Sequence, residues 1–160
     1  MPPGMAAITL NDEMKITFPE GFTVMSREEL KQAYGDDIPD RYGMKDAEKH
    51  IIFCVYWHEG PKFLSKLADC KSLRDRCEKL ISKSMRNHSY KLEGKFESSL
   101  CGMEVQGFRH SYILQDIEFV SEVRVLKKDN VCYTLYYYTR SETEKANEPV
   151  RDEILNSISF

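Results

Sequence analysis

The stretch Glu118–Thr139, EFVSEVRVLKKDNVCYTLYYYT, decides the fold of this 160-residue chain. Two runs of β-prone residues flank Lys127-Lys128-Asp129-Asn130, a polar segment that tolerates the left-handed backbone of a tight turn. The second run carries large side chains at both odd and even positions. Because successive side chains of a strand point to opposite faces, the stretch predicts a hairpin that is packed on both faces of its sheet.

Strand and helix patterns extend from this hairpin in both directions. The predicted elements are, in chain order, strands at Met14–Phe18 and Phe22–Val24, a short helix from Ser26, a polar connection Asp36–Lys49, strand Ile51–Trp57, helix Pro61–Asn87, strands Tyr90–Leu100 and Met103–Leu114, the hairpin, and a final helix that begins near Ser141. This order predicts an α+β fold, in which a mostly antiparallel twisted sheet has helices on both faces. The length indicates one domain, residues 1–160.

The three helices of this scheme carry their own sequence signals. The long helix has one apolar stripe that is expected to pack on the sheet, formed by Phe63, Leu64, Leu67, Cys70, Leu73 or Arg74, Cys77, Leu80, Ile81 and Met85. Capping-box patterns occur at Ser26–Glu29 and Ser141–Glu144, and Pro149 is expected in the first turn of the main segment of the last helix.

Composition narrows the class of protein. The 23 basic and 26 acidic residues give a net charge of −3, which argues against a nucleic-acid partner. The five cysteines show no C-x-x-C spacing, so reduced thiols are expected. No apolar run is long enough for a membrane span, and the N-terminus lacks a signal-peptide pattern. These features predict a cytoplasmic protein, unless a native leader has been removed.

The polar connection is the candidate site for a partner. It combines Arg41 and Tyr42, residue types favoured at interfaces, with the acidic Asp40 and Asp46. Long loops carry function more often than cores do, so these four residues are predicted to bind another protein. The alternative interpretation is a solvated connection whose Tyr42 packs onto the sheet. A second open question is whether the tyrosines at positions 133, 136, 137 and 138 line a ligand groove or only fill the core.

Catalytic and metal-binding patterns are absent from the sequence. His50 and His58 lie eight residues apart on a predicted strand, too far to share a metal. Cys54 lies within an apolar run, where burial disfavours a reactive thiolate, and Cys101 is expected at an exposed turn. No catalytic residue, cofactor or metal is therefore expected.

Four segments together resemble the Mog/PsbP-like α/β/α sandwich superfamily, in particular its small bacterial members. They are the N-terminal ITFPEGF (residues 16–22), the long central helix, the YTLYY strand (residues 133–137), and the closing ILNSISF (residues 154–160). The resemblance implies the same sandwich fold over nearly the whole chain. It also implies a non-enzymatic binding or assembly role, with no catalytic residues to carry over.

The leading functional prediction is therefore a small non-catalytic module that binds another protein, one version being an accessory or immunity protein of a secretion or toxin system. Two alternatives stay open. One is a small-ligand binder or enzyme that uses the sheet face and the connection at residues 36–49. The other is a structural domain that dimerises through an exposed strand edge.

Overall fold

The computed structural model describes residues 6–34, 40–59 and 69–160. Its strands are β1 (Ala6–Leu10), β2 (Met14–Phe18), β3 (Thr23–Val24), β4 (Arg41–Asp46), β5 (Ile51–Glu59), β6 (Lys91–Leu100), β7 (Met103–Leu114), β8 (Ile117–Lys128) and β9 (Val131–Arg140). Its helices are α1 (Arg27–Tyr34), α2 (Cys70–Ser84) and α3 (Glu144–Asn156), the last preceded by a 3-10 turn at Ser141–Thr143.

Seven strands form one antiparallel sheet in the order β3-β4-β5-β9-β8-β7-β6, and β1 and β2 form a separate hairpin. The predicted hairpin is β8–β9, with Val123 opposite Tyr136. Asp129 at its turn has a φ of 54°. The turns that join β6 to β7 and β7 to β8 also use left-handed residues, at Cys101-Gly102 and Gln115-Asp116. The antiparallel run from β6 to β9 is confirmed.

The sheet has two faces that are covered differently. We call the back face the one that carries Phe53, Leu135 and Tyr137; α3 and the β1–β2 hairpin pack against it in the larger core. We call the front face the opposite one, which carries Cys54 and Tyr136 and is covered by α1 and α2. The chain is therefore an α+β fold with helices on both faces of a mostly antiparallel sheet, as the sequence predicts.

Burial of apolar side chains holds the back layer in place. Ile154 of α3 and Met14 of β2 are fully buried, and the backbone of Lys15 exchanges hydrogen bonds of 2.7 and 2.9 Å with Ser159. Fully burying one such side chain contributes roughly 1.5–3 kcal/mol. The C-terminal segment thus closes the layer that the N-terminal hairpin begins.

The structure differs from the prediction for the polar connection. Residues 41–46 were expected in a loop, but they form β4, which pairs with β5 along its whole length. The run RYGMKD lacks the alternation of apolar residues that marks a half-buried strand, because charged residues are buried in it. The strand β1 was likewise not expected; its residues pair with β2.

Two helices also differ from expectation. Cys70 and Arg74 of the predicted stripe are the buried positions of α2, but Leu80, also expected on the stripe, is 64% exposed. The first part of that predicted helix, including Phe63, Leu64 and Leu67, lies outside the described residues. Pro149 lies inside α3 rather than in its first turn. The Ser26–Glu29 capping box is confirmed by two reciprocal hydrogen bonds of 3.1 Å.

Candidate functional site

The four predicted partner-binding residues do not form an exposed loop. Arg41 and Asp46 are buried at opposite ends of β4, with 8% and 3% of their surfaces exposed. The guanidinium of Arg41 lies 5.3 Å from the ring centroid of Tyr56. Tyr42 points to the back face and is half-buried, and burial raises the pKa of its hydroxyl. Asp40 alone is exposed. The structure therefore places most of this set inside the sheet.

Asp46 is committed to the turn that follows β4. Its Oδ1 accepts backbone N–H groups of Glu48 and Lys49 at 3.1 and 3.0 Å, and its Oδ2 lies 3.3 Å from Lys49 Nζ. Gly21, with a φ of +101°, lies so close that a Cβ there would come within 2.7 Å of Oδ2. The carboxylate therefore has a structural role, and its charge is compensated locally.

A trough of about 420 Å³ opens on the front face beside this turn. Its floor consists of two rows that the strand register sets side by side. One row runs Tyr112, Phe119 and Arg140 across β7, β8 and β9. The parallel row contributes Tyr138 and Ile52 from β9 and β5, and ends at Lys45 of β4. Ala33 at the end of α1 and Met85 beyond α2 form the walls.

The two ends of the trough differ in chemistry. Tyr112, Phe119 and Leu114 form an apolar end, where the rings of Tyr112 and Phe119 stack with centroids 5.5 Å apart. Arg140 of β9, Lys45 of β4 and His50, which precedes β5, line the other end. Pockets of this size with an apolar lining and a few polar groups at one end are typical of small-molecule sites.

The cations at the polar end are not equally engaged. Lys45 forms an ion pair with Glu29 of α1. Arg140 lies 3.7 Å from Glu142, whose side chain is 72% exposed, so this pair is loose and screened by water. His50 lies in the turn before β5 with a φ of 58°. Arg140 is therefore the cation best placed to receive an anionic group.

Two buried polar side chains continue the second row beyond Tyr138. Ser121 lies directly opposite Tyr138, and His110 lies directly opposite Ser121; both residues have no exposed surface. Neither the ring nitrogens of His110 nor the hydroxyl of Ser121 has a hydrogen-bond partner among the described residues. Burial lowers the pKa of His110 from 6.5 to about 4, so its ring is neutral at pH 7.

Two cysteines and a tyrosine near the front face are also held in their neutral forms. Burial raises the pKa of the Cys77 and Cys132 thiols to about 11, and it raises that of the Tyr136 hydroxyl well above its usual value. Cys101 is exposed and its Sγ donates to the carbonyl of Ile158 at 2.9 Å.

Within the described ranges no three His, Cys, Asp or Glu side chains converge as a metal site would require. In the same ranges no helix has both the length and the apolar character of a membrane span.

Sequence reasoning found part of this site. Tyr138 belongs to the tyrosine-rich strand that was considered as a groove, and Lys45, Asp46 and Ala47 belong to the connection at residues 36–49. It missed Tyr112, Phe119 and Arg140, because strand register alone brings them into one row. A sequence signal for them would have required the register of β7, β8 and β9.

No protein-family model and no curated protein matches the sequence. Solved structures nevertheless resemble it. Cyanobacterial PsbP (CyanoP) from Synechocystis superposes with a TM-score of 0.71 at 12% identity, covering 100% of this chain and 94% of that one. A Bacteroides thetaiotaomicron protein gives 0.61 at 9% identity, with 99% and 48% covered. A Pseudomonas aeruginosa protein of unknown function gives 0.53 at 9% identity, with 98% and 96% covered.

These superpositions establish a PsbP-like fold for the chain. At 9–12% identity they carry no statement about function, because one fold supports many activities.

Proposed function

We propose that this chain is a non-catalytic binding protein and that the trough is its binding site for a small amphipathic anion. The ligand would have a compact apolar body, aromatic or aliphatic, and one acidic group. The observation that carries this proposal is the division of the trough into an aromatic end and a cationic end. Binding of another protein, alone or as part of a secretion or toxin-immunity system, stays a prediction from the sequence.

The trough suits such a ligand for two physical reasons. An apolar body that leaves water for the Tyr112 and Phe119 rings gains roughly 25 cal/mol for each Å² of apolar surface that is buried. The acidic group would meet Arg140, whose planar guanidinium can donate two parallel hydrogen bonds to a carboxylate. Asp46 offers little repulsion, since its oxygens are already held by N–H groups and by Lys49.

Calorimetric titration with 2-naphthoate and with neutral 2-naphthalenemethanol tests this proposal. Naphthoate should bind more tightly than the alcohol. Arg140→Gln should weaken naphthoate by about tenfold and leave the alcohol unchanged, because only the anion uses the guanidinium. The matched control is Arg76→Gln on the exposed side of α2, which should change neither affinity.

A second variant tests whether the two probes bind in the trough itself. Ala47→Trp places a large side chain at an exposed position that lines the trough, so it should weaken both probes. Equal affinities for the two probes, or full naphthoate binding by Arg140→Gln, would contradict the proposal.

A further inference from the structure

The strand β6 is one edge of the seven-stranded sheet, and nothing in the described part of the chain pairs with its outer side. It is ten residues long, and eight of its residues are exposed. The opposite edge, β3, has only two residues. A long exposed edge presents a row of backbone donors and acceptors that can pair with another strand.

The first part of β6 is protected against such pairing. A bulge interrupts the register between Leu92 and Gly94, and Glu93 in the bulge is held by Arg109 at 2.8 Å. Bulges and charged side chains are the usual means by which proteins block an edge. The regular segment Gly94–Leu100 has no bulge and no proline, so it is the part of the edge that can accept a strand.

Charge along this segment points to a particular partner. Its two charged residues, Lys95 and Glu97, have opposite signs and lie two positions apart, so they share the front face. Lys95 also lies 3.0 Å from Asp75 of α2 in an ion pair whose two side chains are each 39% exposed, so its ammonium group can still meet a carboxylate from another chain. An antiparallel pairing about a two-fold axis through Phe96 sets Lys95 of each copy opposite Glu97 of the other. The segment is therefore complementary to a second copy of itself.

The neighbouring registers are less favourable. A two-fold axis through Lys95 or through Glu97 sets like charges opposite each other, which destabilises a strand pair. An axis through Ser98 leaves Glu97 opposite an uncharged serine. An axis through Gly94 would bring the bulge of each copy into the pairing.

We propose that two copies of this chain associate through their β6 edges, antiparallel about Phe96, so that one continuous sheet crosses the dimer. This interface lies at the far edge of the sheet from the cationic end of the trough. It therefore does not depend on the proposed ligand.

Sedimentation equilibrium over a concentration series tests this proposal. The wild-type chain should shift from its 18.7-kDa monomer towards twice that mass. Lys95→Glu or Glu97→Lys should each weaken the dimer by about tenfold, since each reversal creates two like-charge pairs by symmetry. The double variant Lys95→Glu/Glu97→Lys restores both opposite-charge pairs, and its dimer constant should return to within about threefold of the wild type.

Two controls make the result decisive. Lys83→Glu reverses an exposed charge on α2 and should leave the dimer unchanged. A cooperative urea transition for every variant would show that each one is folded, with a somewhat lower midpoint expected for Lys95→Glu because it loses the ion pair with Asp75. A wild-type chain that stays monomeric at millimolar concentration overturns the proposal. The β6 edge would then be open to pairing with a strand of another protein. A dimer that ignores the single reversals, or that the double variant fails to restore, overturns the register.

Discussion

His110 is held at a place where its charged form is unfavourable. Its ring lies among the rings of Tyr90, Phe108 and Tyr112, with centroids 5.2 to 5.7 Å away. Neither ring nitrogen has a partner among the described residues, and the side chain is fully buried. Burial in such surroundings favours the neutral imidazole, which is why its pKa falls to about 4. The residue contributes as a flat ring in an aromatic stack rather than as a polar group.

This burial predicts a specific pH dependence. The unfolded chain takes up a proton at His110 near pH 6.5, whereas the folded chain does so only near pH 4. Between these values the unfolded state binds more protons, so stability is complete above pH 6.5 and falls as the pH decreases. His110→Phe removes this contribution. Its free energy of unfolding, relative to wild type, should rise by about 3 kcal/mol between pH 7 and pH 4.

Urea denaturation across that pH range measures the effect. The same substitution at exposed His58 is the matched control for the loss of one histidine. Parallel pH profiles for wild type and His110→Phe would show that His110 titrates normally in the folded protein.

Arg41 is a charged residue whose side chain is buried against the sheet. From the sequence, replacing Arg41 and Tyr42 together would be expected to leave stability unchanged, as for loop residues. The structure reverses that expectation, because Arg41 is buried over the Tyr56 ring and Tyr42 packs against the larger core. The double alanine variant should lose about 2 kcal/mol of unfolding free energy. Exposed Asp40→Ala is the control for a chemical denaturation curve, and equal midpoints would count against the burial of the pair.

At the scale of the element, ion pairs as well as apolar contacts hold α3 against the sheet. Glu122 of β8 lies 3.1 Å from Arg151 of α3, 3.0 Å from Arg124 and 3.6 Å from Arg109. Arg109 also pairs with Glu144 in the first turn of α3. One buried carboxylate thus connects the helix with two neighbouring strands, and its removal would leave three guanidinium groups close together.

Glu122→Gln should therefore destabilise the protein by about 2 kcal/mol or more, because the remaining positive charges lose their common partner. The matched control is Glu118→Gln, an exposed position on the same strand. Hydrogen exchange should also show faster opening of α3 in Glu122→Gln, while β6 and β7 keep their protection. A loss no larger than that of the control would mean that the apolar contacts alone hold the helix.

Across the whole molecule, the parts that the sequence predicts are those with local signals. The strands β6 to β9 are consecutive in the chain and meet at short turns with left-handed residues, so each strand pairs with the one that follows it. β4 escaped prediction because its buried residues include Arg41 and Asp46, whose partners are a ring in β5 and backbone N–H groups. The trough as a whole could not be predicted either, because residues that line it, such as Ile52 and Tyr112, lie 60 positions apart in the sequence.

The central pairing of β5 with β9 has a consequence for the order in which the protein is made. A chain emerging from the ribosome contains β5 by residue 59, but it contains the whole of β9 only after residue 140. Until then β3–β4–β5 and β6–β7–β8 have no strand in common, so they remain two separate sheets. β9 joins them, with Leu135 between Val55 and Arg124. The last strand to be synthesised is thus the one that joins the two parts of the sheet.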